Sequence, residues 1–349
     1  MRASLALRWQ SFDPLPVFGL NWYAIDTSET RLAYYPQGHP MSKNTQISRG
    51  WISIATVVAA SLALLVTACE SGKPGAPGAV EQAGRDNVDA MSREHANDTT
   101  EASEAARLAP WRPIISERLA YAEVEDELVH GHFAFPADMV EPLPAIIVIH
   151  EWWGLNDNVR AMADRLAGEG YIVFAVDLYG GEVAESPEDA RKLMLSVVEN
   201  PEQASENIRK AYDFVDTTAG APRVGSVGWC FGGGWSLNTA MLFPNDLDAA
   251  VIYYGQVTDD EERLRAINVP ILGLFGADDT GISVESVRLF EAALERLRKN
   301  YEIQIYPGAG HAFANPTGQN YNAEVAEDAW KRTLEFFGHN LGSDSADDS

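Results

Sequence analysis

Six short apolar runs, spaced along the second half of the chain, restrict the fold more than anything else in the sequence. They are "AIIVIH" (145–150), "YIVFAVD" (171–177), "RVGSVGW" (223–229), "AAVIYY" (249–254), "PILGLF" (270–275) and "YEIQIY" (301–306). Each is too short for an ordinary helix and mostly apolar throughout, as strands buried on both faces of a parallel sheet are. Amphipathic segments at 157–168, 201–217, 233–243, 283–299 and 323–338 lie between and after them. The segment "SVESVRLFEAALERLRKN" has a capping candidate in Ser283, apolar residues at helical spacing and a basic last turn. Strands alternating with helices predict an α/β fold: a mostly parallel central sheet, helices on both faces and right-handed crossovers. Ahead of it, "RLAYAEVEDELVHGHFAFPA" alternates in polarity and predicts two strands around a turn at Asp126-Glu127. The folded unit is expected at 112–341, one domain of ordinary size.

The flanks read differently. Residues 1–40 have no periodicity and suggest an upstream extension of the gene reading. From Met41, Lys43 and Arg49 precede the apolar stretch Trp51–Val66 and then small residues, which is a secretory signal pattern over 41–68. The apolar stretch is shorter than the ~20 residues a spanning helix needs. Its end, "LVTAC", resembles the bacterial lipobox, which implies lipidation at Cys69 and a protein tethered to the cell envelope rather than spanning the membrane. Residues 69–111 are poor in aromatic and β-branched residues and are expected to be a disordered linker. The tail 342–349 is acidic. A formal net charge of -25 argues against a nucleic-acid partner, which requires a basic face. Two cysteines, Cys69 and Cys230, exclude a disulfide scaffold.

Sites in such sheets gather at the carboxyl ends of the strands. There the sequence "SVGWCFGGGWS" sets Cys230 directly after one strand and before a helix expected to begin near Gly233. Gly228, Gly232 and Gly233 permit a sharp turn and close helix approach, as in a nucleophile elbow. A helix N-terminus also favours thiolate. A nucleophile needs a base. Of seven histidines, His39 and His95 fall outside the expected domain, and His130 and His132 fall in the early hairpin. His150 ends a core strand and His339 follows the last helix. His311, in the loop after the last strand, stands where a general base belongs. An orienting carboxylate should lie between them in chain order, and position alone leaves Asp278 and Asp279 both open. Glu151 ends the first parallel strand; His150-Glu151 is followed by no second histidine, so a zinc motif is unsupported. No metal or organic cofactor is expected.

The stretches "VIHEWWGLN", "VDLYGG", "GWCFGGG", "FGADD" and "GAGHAFAN" together resemble the dienelactone hydrolases (carboxymethylenebutenolidases), a cysteine branch of the α/β-hydrolases, over roughly 115–340. The resemblance implies the α/β-hydrolase fold, with Cys230 as nucleophile, His311 as base and Asp279 as the acid. It implies that Glu151 contacts the nucleophile and helps switch it to thiolate. It places an oxyanion hole at the backbone N–H groups of Phe231 and Trp152. For substrate binding it suggests Asn315, where the family has an arginine, together with Trp153 and Arg191.

A thiolate leaves a tetrahedral intermediate more readily than an alkoxide does, so attack on a plain alkyl ester mostly reverts. An enol lactone or aryl ester releases a stabilised oxyanion and lets acylation proceed. The expected activity is therefore hydrolysis of an activated ester or lactone, a small-molecule substrate, through an acyl-enzyme thioester. A broader carboxylesterase with an altered pocket is the alternative, and a non-catalytic hydrolase-fold lipoprotein a further one.

Overall fold

The protein is described by a computed structural model, which places residues 85, 88–96, 98, 103–104 and 108–342. The expected extension at 1–40, signal segment at 41–68, lipidation site Cys69 and most of the acidic tail lie outside the described residues.

Eight strands form one sheet in the order β1-β2-β4-β3-β5-β6-β7-β8. The strands β1 (Ile114–Val124) and β2 (Glu127–Pro136) pair antiparallel, and β2 pairs antiparallel with β4 (Ile172–Val176). The remainder is parallel: β3 (Ala145–Ile149), β4, β5 (Val224–Trp229), β6 (Ala249–Tyr253), β7 (Ile271–Gly276) and β8 (Tyr301–Tyr306). Every residue of β3 to β7 is buried, because helices cover both faces and leave no side for polar alternation. The α/β-hydrolase architecture read from the sequence is thus the one present.

The β1–β2 turn falls one residue earlier than expected, on Glu125-Asp126. Their φ values, 51° and 66°, are both in the left-handed region that a two-residue hairpin with right-twisted strands requires. The helices of the domain are α2 (Asp157–Gly168), α3 (Pro187–Glu199), α4 (Pro201–Asp213), α5 (Phe231–Leu242), α6 (Glu261–Leu264), α7 (Val284–Arg296) and α8 (Ala323–Leu341). The sequence reading missed α3 despite a clear start signal: the Ser186 hydroxyl accepts from Asp189 N–H and Pro187 occupies the first turn. Past α4 the chain makes a π turn over Phe214–Thr218 instead of continuing as α-helix.

The linker expectation is corrected over residues 88–96. Residues 88–94 form a helix, here α1, with Val88, Met91 and His95 buried. These three lie at spacings of three and four and therefore share one helical face. Composition foretold disorder because the segment carries little apolar surface; that little is placed on a single face and docks on the domain.

Candidate functional site

The parallel register sets the carboxyl ends of the strands side by side. Ile149 pairs with Gly228, and Trp229 with Tyr253. The next residues in each strand, His150-Glu151, Cys230 and Tyr254, consequently emerge as neighbours. Asp279 follows β7 and His311 follows β8.

Cys230 sits between β5 and α5 with φ 55° and ψ −118°, a conformation few non-glycine residues adopt. The turn is possible because two glycines let backbones touch. A Cβ at Gly228 would fall 2.0 Å from the Gly232 carbonyl oxygen, and one at Gly232 would fall 2.2 Å from that of Ile149. Helix α5 begins at Phe231 rather than near Gly233, so Cys230 itself is the N-cap. The Phe231 N–H thus belongs to a first turn that has no intrahelical acceptor. Trp152 follows β3, and its carbonyl accepts from the Tyr179 hydroxyl at 3.1 Å. Both proposed oxyanion donors therefore sit at the strand-end edge where Cys230 emerges.

His311 is fully buried; its Nδ1 is 2.8 Å from Asp279 Oδ2. The other Asp279 oxygen accepts from Gly281 and Ile282 N–H at 2.8 and 2.7 Å, which locks the carboxylate. Asp278 instead donates its backbone N–H to Ala309 O. His311 Nε2 is buried without a hydrogen-bond partner, and a ring nitrogen of His311 lies within 4.8 Å of Cys230 Sγ.

A second imidazole faces the same sulfur. His95 Nε2 is 3.5 Å from Sγ, and Met91 Sδ is 3.4 Å from it. The sequence reading placed His95 outside the domain; the structure puts it against Cys230. The signal available was the helical spacing of Val88, Met91 and His95. The donor atoms of His95, Cys230 and His311 all lie within 4.8 Å of one another, close enough to share a metal ion.

Burial pushes the Cys230 thiol up, but the two imidazoles opposite outweigh it and bring it down to about 6. Burial opposes charge on His311 too, yet the thiolate and Asp279 hold it well above its ordinary value. Glu151 is pushed up to about 7, first by burial and then by the thiolate. Sulfur is therefore ionised above pH about 6. Iodoacetamide labelling of Cys230 should rise through pH about 6 and then level off, where a free thiol titrates near 8.5. A labelling midpoint above pH 8 would contradict the ion-pair arrangement.

The remaining residues expected at the site fall as follows. Glu151 Oε2 accepts from Asn315 Nδ2 at 2.9 Å and Oε1 from the Tyr254 hydroxyl at 3.5 Å. Asn315 Oδ1 accepts from Thr317 N–H and hydroxyl, so its amide is committed within the protein. The Arg191 guanidinium donates to Asp89 Oδ1 at 2.6 and 3.0 Å, tying α3 to α1. Trp153 is buried against Trp152. A cavity of about 940 Å³ opens beside Cys230 and Met91, walled largely by α3 and α5; Met194, Val197, Trp235 and Met241 give it an apolar character. None of Asn315, Arg191 and Trp153 lines it.

A parallel sheet with its strained cysteine between strand and helix, and a buried His–Asp pair at later strand ends, defines an α/β-hydrolase site. The chain matches the model of the Dienelactone hydrolase family over residues 129–341, and it belongs to that family. It is 34% identical over 240 residues to the "Putative carboxymethylenebutenolidase" of Saccharolobus solfataricus, spanning 58% of this chain and 92% of the relative. It is 35% identical over 201 residues to "Protein usf" of Aquifex pyrophilus, spanning 56% and 87%. Among solved structures it is similar to a "Putative Dienelactone Hydrolase" of Klebsiella pneumoniae, with TM-score 0.57 and 28% identity, covering 65% of this chain and 99% of that one. The protein is a hydrolase of the esterase type.

Proposed function

We propose that the protein hydrolyses activated esters or lactones through a thioester on Cys230. The observation that carries this reading is the buried His311, fixed by Asp279 on one nitrogen and presenting the other, unpartnered, toward the sulfur. In acylation the thiolate attacks the carbonyl carbon, and the N–H groups of Phe231 and Trp152 receive the developing oxyanion. The carbon–oxygen bond then breaks, and the leaving oxygen takes the proton held by His311. In deacylation neutral His311 takes a proton from water, whose oxygen attacks the thioester. The carbon–sulfur bond breaks, and acid and thiolate are released.

The apolar cavity favours an acyl group without a carboxylate. Asn315 is spent on Glu151, and Arg191 on Asp89. Arg263, at the cavity's wall, faces Asn238 at 3.5 Å. The two positions the resemblance assigns to a substrate carboxylate are thus committed elsewhere, which supports the broader carboxylesterase reading, while Arg263 keeps a charge on the cavity's wall that an amide does not neutralise. The test is turnover of a panel running from enol lactones and aryl esters to alkyl esters. Rates should fall steeply as the leaving group becomes more basic. Equal rates for aryl and alkyl esters would remove the thioester reading.

A further inference from the structure

We infer that the active site of this chain extends beyond the family domain: the segment 88–98 supplies a second histidine–carboxylate pair, His95–Asp98, that acts on Cys230. This deepens the proposed hydrolysis at Cys230 and rests on it. The family match begins at residue 129, so nothing in it assigns a role to this segment.

The pair is built rather than incidental. His95 is 1% exposed, and its Nδ1 is 2.7 Å from Asp98 Oδ2. Asp98 Oδ1 accepts from Gln319 N–H, so the loop after His311 holds the carboxylate in place. The ring stacks on Trp152 with centroids 4.8 Å apart and meets the edge of His311 at 5.2 Å. Arg191–Asp89 and Thr280–Glu94 contacts anchor α1 on two sides. The outcome is a sulfur between two imidazoles, each backed by an aspartate that fixes its tautomer and supports its positive charge. Among the described residues, Glu151, Tyr179 and Tyr254 are the other ionisable groups whose charge the sulfur influences.

Two imidazoles permit a division of labour. His311 must give a proton to the leaving oxygen and recover one from water, so it is neutral for part of each cycle. The thiolate expelled at the end of deacylation meets the newly protonated His311 on one side, and His95 gives it a second partner on the other. His95, held on Nδ1 by Asp98 and facing the sulfur with Nε2, supplies that second contact whenever the sulfur is ionised. No step of the hydrolysis passes a proton through His95, so its balance is unchanged. Cys230 and Met91 both line the cavity, so the segment borders the space beside the sulfur.

The test uses the full chain, treated with a chelator. His95→Gln and Asp98→Asn should each slow iodoacetamide labelling at pH 7 by about tenfold and shift its midpoint upward. Aryl ester kcat should fall by a similar factor while KM changes little. Unchanged labelling and turnover would overturn the inference. Faster labelling or turnover would also overturn it, because the segment would then be only a cover. Asp98→Asn keeps the imidazole and serves if His95→Gln disturbs folding. An active wild type, abolished by Cys230→Ala but indifferent to both variants, would sink this inference and leave the proposed hydrolysis standing.

Discussion

Cys230→Ala should lower kcat/KM for an aryl ester by at least about 10⁴-fold, to what the oxyanion donors and substrate binding provide without a nucleophile. The variant is a clean one for a structural reason. Residue 230 holds φ 55°, and that strain arises from the Cβ, which alanine keeps. The cost of the turn is thus unchanged, and the protein should fold with an unaltered circular dichroism spectrum. Trapping the acyl-enzyme by acid quench and mass spectrometry completes the measurement: wild type gains the acyl mass, and the alanine variant gains none. Activity within about tenfold of wild type would mean that sulfur is not the nucleophile.

Asp279→Asn should cost on the order of 10³- to 10⁴-fold in kcat, through the tautomer of His311. The two Asp279 oxygens have different duties. One accepts from Gly281 and Ile282 N–H and keeps the turn; the other faces His311 Nδ1. Asparagine can keep the turn with its oxygen and present its NH₂ to the ring. Nδ1 must then accept, the proton moves to Nε2, and the ring can no longer take a proton from water. His311→Ala removes the base outright and should cost at least as much. Here the chemistry of sulfur separates the two steps: alkaline pH restores the thiolate, and with it single-turnover acylation, while deacylation stays slow. A variant that accumulates acyl-enzyme at high pH bears this out. Full turnover by Asp279→Asn would show that the His–Asp contact is only structural.

The strands were legible because burial on both faces writes itself as nearly continuous apolar runs in β3 to β7, while the edge strand β8 shows as an alternating one; all six fall within a residue or so of the runs that predicted them. Helix α3 was overlooked although Ser186 and Pro187 announced it, and the hairpin turn slid by a residue because Glu125 and Asp126 carry no glycine to mark a positive φ. The site divides in the same way. Cys230, Asp279, His311 and Glu151 follow four different strands, and a parallel sheet brings strand ends together whatever the side chains between them. That much is determined by the sequence alone.

What only the tertiary structure decided is which further groups share the pocket. Asn315 looked like a substrate contact, but its amide is used on Glu151, and Arg191 is drawn to Asp89. His95 stands in a stretch too poor in apolar residues to offset its own ordering entropy in isolation. It becomes ordered because Val88, Met91 and His95 share a face, and a groove already built by the distant strand ends is there to receive it. Local composition cannot register a surface supplied by residues as far along the chain as Trp152, Cys230 and His311.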